Sequence, residues 1–168
     1  MTDTLLRVTD TSDNFSTWIS KDFVPEEIRS GLAKCQVLLV PEIGFRDYDK
    51  PLFPVGTESL LATLKRSLGP SIQVDICISD ENYAELALHS DTCRLGRFVV
   101  LSVVLPLFLS VLANVIYDKM KTNPERTDIS FNMTVVDTNG VSKDISYEGP
   151  AKDFNTVANN IKALWKLP

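Results

Sequence analysis

The sequence predicts an α/β fold, more closely an α+β domain on a mixed sheet. Three observations lead there: an apolar central run broken by one proline, short apolar runs of strand length, and a C-terminal alternation that reverses at Asn-Gly. The expected architecture is one compact domain built on a central strand-Pro-helix unit, with a C-terminal β-hairpin and helix. The central unit is RFVVLSVVLPLFLSVLANVIYDKMK, residues 97–121. From 98 to 117 it runs twenty residues without a charge and has basic residues outside both ends, which meets the crude requirement for a spanning helix. A single-pass membrane anchor is therefore a rival reading. Against it, Pro106 lacks the amide that an unbroken helix needs, and its ring clashes one turn back. Split there, 98–104 reads as a buried strand, with a short buried helix as the alternative. From Pro106, a favoured first helical residue, Leu107, Phe108, Val111, Leu112, Val115 and Ile116 are assigned to one face. Ser110, Asn114, Asp118 and Lys121 are assigned to the other. Such a stripe suits a helix half covered by a sheet, which favours the core over the bilayer.

Taken in order, residues 1–23 read as an irregular N-terminal arm, and 24–168 as the domain. Phe15, Trp18, Ile19 and Phe23 are scattered apolar anchors in the arm. They either pack back on the domain or, as Phe15, Trp18 and Phe23, dock a partner. A short helix over 25–33 starts at Pro25, with Glu26 and Glu27 where the helix dipole favours acids. QVLLV, 36–40, is apolar on consecutive positions and belongs inside a sheet. A connection of about sixteen residues follows, where about four to six is usual. Thr57 is the expected N-cap of the next helix, Leu60, Leu61, Leu64 and Leu68 its buried face, and Gly69-Pro70 its stop. Residues 71–79 alternate, with Ile72, Val74, Ile76 and Ile78 inward and Gln73, Asp75 and Cys77 outward, as in a strand near a sheet edge. Residues 80–88 read as a short helix capped by Asp80. Ile129, Phe131, Met133 and Val135 alternate into Asp137-Thr-Asn-Gly140, a hairpin signal. Val141, Ile145 and Tyr147 share the return strand. After Gly149-Pro150 a last helix places Phe154, Val157, Ala158, Ile161, Leu164 and Trp165 on one face.

Composition excludes more function than it assigns. With 44% apolar and 23% charged residues the chain can bury a good core. A net charge of −5 and no Lys/Arg cluster argue against a surface that tracks phosphates, so no nucleic-acid partner is expected. Cys35, Cys77 and Cys93 are odd in number and lack C-x-x-C spacing, which fits free thiols in a reducing compartment. The first sixteen residues hold no basic stretch leading into an apolar one, so no secretory signal is expected and the assignment is cytoplasmic. His89 is the single histidine, and a Ser-His-Asp or Cys-His arrangement would have to use it. Its neighbours Ser90 and Asp91 do not make a triad, whose members meet through the fold. The cysteines are too dispersed for zinc, and no Gly-rich phosphate loop occurs. No catalytic residue, metal site or cofactor is therefore assigned. If chemistry exists, acids of the long loop or Cys93 beside Arg94 would carry it.

The long connection is the best ligand candidate, because it follows the C-terminal end of an inner strand, where open α/β sheets place ligands. It offers Glu42, Arg46, Asp47, Tyr48, Asp49 and, at the next helix start, Thr57. Paired acids suit a hard cation; Arg46 with a helix N-terminus suits an anion. The plain alternative is a solvated loop anchored by Phe45, Leu52 and Phe53.

The phrases PEIGF with LFPVGT, YAELALHSD, LPLFLSVLANVIYDKMK, and ISFNMTVVDTNG with ISYEGP resemble an uncharacterised family of small bacterial proteins. The helix–hairpin–helix end is similar to effector-associated adaptor components of bacterial conflict and antiphage systems. That resemblance implies a non-catalytic accessory protein with a protein partner. A small-ligand, nucleotide-like sensor using 42–57 is the alternative from another class.

Overall fold

The computed structural model describes residues 5–46, 48–87, 92–121 and 127–166. In chain order they form Leu5–Thr11 (β1), Phe15–Ile19 (α1), Glu26–Leu32 (α2), Val37–Val40 (β2), Phe53–Pro54 (β3), Thr57–Leu68 (α3) and Val74–Ile76 (β4). Glu85–Leu86 (β5), Thr92–Leu101 (β6), Leu105–Met120 (α4), Asp128–Val136 (β7), Ser142–Pro150 (β8) and Phe154–Ala163 (α5) complete them. Six strands make one mixed sheet, ordered β1-β8-β7-β6-β2-β4, and β3 with β5 makes a small parallel pair. β6 and β7 are parallel and joined through α4; β2 and β4 are parallel and joined through α3. Both crossovers, with α5, cover the same face of the sheet.

That face holds the main core. Leu64, Leu105, Phe108, Leu112 and Ile161 of the helices meet Val37, Phe98, Val100, Phe131, Ile145 and Tyr147 of the sheet. Phe98 and Phe108 lie edge to face at 5.2 Å, and Phe131 contacts Tyr147 and Phe154 at 5.8 and 5.9 Å. Aromatic pairs of this geometry add to burial. The opposite face is covered over only part of its width, where Trp18, Ile19, Val24 and Leu32 pack on Leu38, Val40, Cys77 and Val99. The mixed α/β domain, its central strand-Pro-helix unit and its C-terminal hairpin and helix are as the sequence predicts.

Residue 98–104 does not stay a strand to its end: β6 stops at Leu101 and 102–104 make a 3₁₀ turn into α4, with Pro106 in the first turn. Ser102–Met120 is long and apolar enough to cross a membrane by length and composition, yet its apolar arc lines the core. The arc is rotated from the one expected. Leu105, Phe108, Leu109, Val111, Leu112 and Ile116 are buried, whereas Leu107 is 56% exposed. Leu107 and Asn114 are two turns apart and so share the outer side. Leu109 falls beside Leu112 and Ile116 in the arc between α3 and α5.

The irregular arm is overturned. Leu5–Thr11 pairs antiparallel with β8 along its whole length, from Leu5↔Glu148 to Thr11↔Ser142. Asn14 then caps α1: its Oδ1 accepts from Thr17 N at 3.0 Å while Thr17 Oγ1 accepts from Asn14 N at 2.8 Å, a reciprocal capping box. Trp18 is buried and Phe15 and Phe23 pack half-buried on the same cluster. The aromatics expected to dock a partner therefore pack back on the domain.

Smaller corrections follow from pairing. Residues 80–88 do not form a helix: Asp80–Asn82 is a 3₁₀ turn, and Glu85–Leu86 pairs with β3. Residue 88 lies outside the described residues. Of 71–79 only Val74–Ile76 is strand; it is the edge beside β2, and Cys77 is buried under Trp18 rather than outward. Thr57 is not the N-cap of α3; Gly56, at φ 95°, is. At the hairpin only Gly140 is left-handed (φ 83°), and its N–H donates to Asp137 O at 3.0 Å. Asp137 N donates to Val141 O at 2.9 Å, which makes a type I turn closed by a G1 bulge. The bulge turns Val141 out, 55% exposed. Leu164 lies past the end of α5 and is 43% exposed.

Candidate functional site

The loop expected to bind a ligand is closed on itself at its base. Glu42 and Leu52 exchange both backbone hydrogen bonds, at 2.8 and 3.0 Å. Leu52 and Phe53 are buried, and Phe53 stacks on Tyr83 at 5.2 Å. Burial, and then the 2.7 Å hydrogen bond the phenol donates to Glu85, hold Tyr83 protonated well above the ordinary range.

Of the six candidate side chains, the five described do not converge. Glu42 turns to Arg97, with Oε1 3.6 Å from Nε. Arg46, left-handed at φ 52°, lays its guanidinium over Phe45 at 5.2 Å. Tyr48 and Asp49 are exposed, and Asp47 lies outside the described residues. Thr57 is 4% exposed and donates to Pro54 O at 2.7 Å, locking the entry to α3. What the loop does place is Arg94. A bulge in β6 between Arg94 and Gly96 shifts the register, and Gly96 at φ 115° lets Pro54 approach the strand. Arg94 borders a cleft of about 210 Å³ with Gly56, Thr57 and Lys119. It also lines a nick of about 30 Å³ with Glu42 and Phe45.

Arg94 also borders a cleft of about 300 Å³ with Pro54, Leu86 and Cys93 near the start of β6. Another feature lies on the partly covered sheet face. Where α1 and α2 give out, Arg7, Thr9, Arg97, Asn132, Asp144 and Ser146 border an open trough of about 280 Å³. Four of these stand on one rung across four adjacent strands: Arg7 opposite Ser146, Ser146 opposite Asn132, Asn132 opposite Arg97. With strands about 4.8 Å apart, the two arginine Cα atoms are about 14 Å apart, three strand spacings. The short Ser146 and Asn132 side chains make the floor between them. On the next rung Thr134, 1% exposed, donates to Asp144 Oδ1 at 2.6 Å. Sequence reasoning named none of these residues, although the inward alternation of Ile129, Phe131, Met133 and Val135 already implies that Asn132 faces the other side.

Among the described residues no group of three or more His, Cys, Asp and Glu is placed to hold a metal ion. His89, Ser90 and Asp91 lie outside the described residues. Burial pushes the Cys35 thiol up to about 11 and the Cys77 thiol up to about 12. Both side chains are buried, whereas Cys93 is half-exposed beside Arg94. A thiol reagent at pH 8 should therefore label Cys93 first and reach Cys35 and Cys77 only through unfolding. Because the raised values lie above the 9.0 of a free thiol, these two groups favour the fold below pH 9 and cease to as pH rises toward 11 and 12. Unfolding midpoints should accordingly drop above pH 9, and less so in Cys35→Ala and Cys77→Ala.

No family model, no curated protein and no solved structure matches this chain.

Proposed function

We propose that this chain is a non-catalytic adaptor that holds a partner protein on the β1 side of its sheet. One observation carries the reading: β1 ends the sheet, has no strand beyond it among the described residues, and exposes Leu5 at 44% and Val8 at 38%. A seven-residue edge with apolar side chains is a template for an added strand, since its outer backbone groups face no other strand among the described residues. Natural edges are commonly blunted by inward charges or proline; here the ion pair of Asp10 with Lys143, at 2.8 Å, lies toward β8 and ties β1 to its own sheet. The likeness of the chain's end to adaptor components supports a bacterial antiphage setting, and the free thiols support the cytoplasm.

Affinity capture from the source cells, run with the wild type and with Val8→Lys, tests this. An edge lysine disfavours strand addition without touching the core, so the fold should change by no more than about 0.5 kcal/mol. Capture of a defined partner by the wild type and its loss with Val8→Lys is the expected result. Recovery of the protein alone under gentle conditions, or a partner indifferent to Val8→Lys, would sink the reading. The sensor alternative has moved from the loop to Arg94 and the start of α3, where the cleft is smaller than the ~300–1,000 Å³ of usual ligand pockets. A ligand there at hundredfold excess should add about 2.7 kcal/mol of stability in a thermal-shift screen.

A further inference from the structure

We propose that the outward side of α4 is a self-association surface, on which α4 of a second copy packs antiparallel to form a two-fold dimer. The pairing is separate from the adaptor reading and leaves the β1 edge free. It starts from what α4 turns to solvent. Val103, Leu107 and Tyr117 are 61%, 56% and 61% exposed. Ser110 and Asn114 lie between them on the same side, also exposed, and no charge interrupts the chain from Val103 to Tyr117. The helices that flank α4 differ: α3 turns Glu58, Lys65 and Arg66 outward, and α5 turns out Asn155, Asn159 and Asn160. Interface centres are depleted in charge and enriched in aromatic residues, and of the three helices only α4 has that composition on its outer side.

The order of the residues selects a second copy. Leu107, Ser110, Asn114, Tyr117 and Lys121 recur at alternating steps of three and four, the spacing at which one helix seats along another. A dyad crossing α4 midway between Ser110 and Asn114 sets Leu107 opposite Tyr117 of the second copy and Ser110 opposite Asn114, each pair made twice. Apolar then meets apolar. The Asn114 carboxamide meets a hydroxyl with which it can hydrogen-bond, so neither group is sealed in without a partner. Lys121 falls against Val103, where its stem can lie while the ammonium stays in water. An isologous contact has to be self-complementary in this way. Charge fixes the direction. A parallel pair would set the two Lys121 ammonium groups side by side and align the two helix dipoles in the same sense. The antiparallel pair parts the lysines by about 27 Å along the axis, at about 1.5 Å per residue, and lays each C-terminal end beside an N-terminal one.

Size sets the affinity. Two sixteen-residue helices remove on the order of 1,000 Å² from water, the lower limit for a specific interface, so the dimer forms at roughly micromolar concentrations and above. Each copy carries a net charge of −5. The copies therefore repel at long range, and added salt should strengthen the pairing, the opposite of an interface built on ion pairs. A bilayer is the other occupant that the length and composition of this helix allow. It would leave Ser110 and Asn114 against hydrocarbon at mid-helix without the partners that the dyad supplies.

The test is sedimentation velocity of the full chain from about 5 μM to about 1 mM. The weight-average mass should rise from one chain toward two, at lower concentration in about 0.5 M salt. Leu107→Lys, at an exposed position, should raise the dissociation constant about a hundredfold, because the dyad repeats the change in both copies. Leu107→Ala, a milder change that keeps the test valid if the lysine disturbs folding, should raise it about tenfold. Val8→Lys should dimerise as the wild type does. In a Cys93→Ser background, Ser110→Cys mixed with Asn114→Cys should form a disulfide-linked dimer faster than either alone. A chain still monomeric at about 1 mM, or a dimer lost in Val8→Lys and kept in Leu107→Lys, would overturn the pairing. Faster cross-linking of each cysteine variant with itself than with the other would overturn its direction. Flotation of a monomeric chain with phosphatidylcholine vesicles, lost in Leu107→Lys, would overturn the second copy in favour of lipid. Capture of another protein by a monomeric chain, lost in Leu107→Lys, would overturn it in favour of that protein.

Discussion

Phe108→Ala should lower the unfolding free energy by roughly 3–5 kcal/mol and Leu112→Ala by roughly 2–5 kcal/mol, because each leaves a cavity in a core too tightly packed to collapse around it. Both side chains are 0% exposed, and Phe108 also loses its edge-to-face contact with Phe98. On the outer side of the same helix, Asn114→Ala should stay within about 0.5 kcal/mol, and Leu107→Ala should fall far below Leu112→Ala. Urea unfolding separates the two sets: the midpoints should shift while the slope stays fixed, as expected when stability changes and the exposed surface does not. The comparison of Leu107 with Leu112 decides the role of α4. A helix surrounded by lipid would treat the two leucines alike, so equal costs in aqueous unfolding would overturn the core assignment.

The same pair of leucines shows what the sequence makes legible. That 106–121 is an amphipathic helix follows from Pro106 and from Ser110, Asn114 and Asp118 recurring on one side. Which leucines join the buried arc depends on α3 and α5, whose positions no local pattern reveals. β1 is a harder case. LLRVTDT carries few apolar residues because it is an edge, and its partner strand comes more than 130 residues later, so its strand character arises from tertiary pairing rather than propensity. The long loop drew attention through its length and its place after β2, both of which are local. The rung of Arg7, Ser146, Asn132 and Arg97 draws on four strands, and only the register of β1, β8, β7 and β6 brings its members into line. A row of side chains written across strands in this way leaves no motif.

Trp18→Ala tests the element that the sequence most underdetermined. The indole is 6% exposed in the cluster with Val24, Leu38 and Cys77, and Lys21 Nζ stands 5.1 Å from its ring centroid. The Trp18 carbonyl also accepts from Cys77 Sγ at 3.7 Å, so the helix turn lies directly over that thiol. Truncation should cost roughly 3–5 kcal/mol, which in a domain of this size corresponds to a melting point lower by roughly 6–20 °C. Cys77, buried in the wild type, should then label faster with a thiol reagent at pH 8, since opening of α1 no longer has to displace the indole. Phe15→Ala and Phe23→Ala, at half-buried positions, should cost less than Trp18→Ala. If the aromatics instead waited for a partner, Trp18→Ala would leave both the melting point and the Cys77 labelling rate unchanged while abolishing capture. That combination would detach α1 from the fold and return the N-terminal segment to the surface.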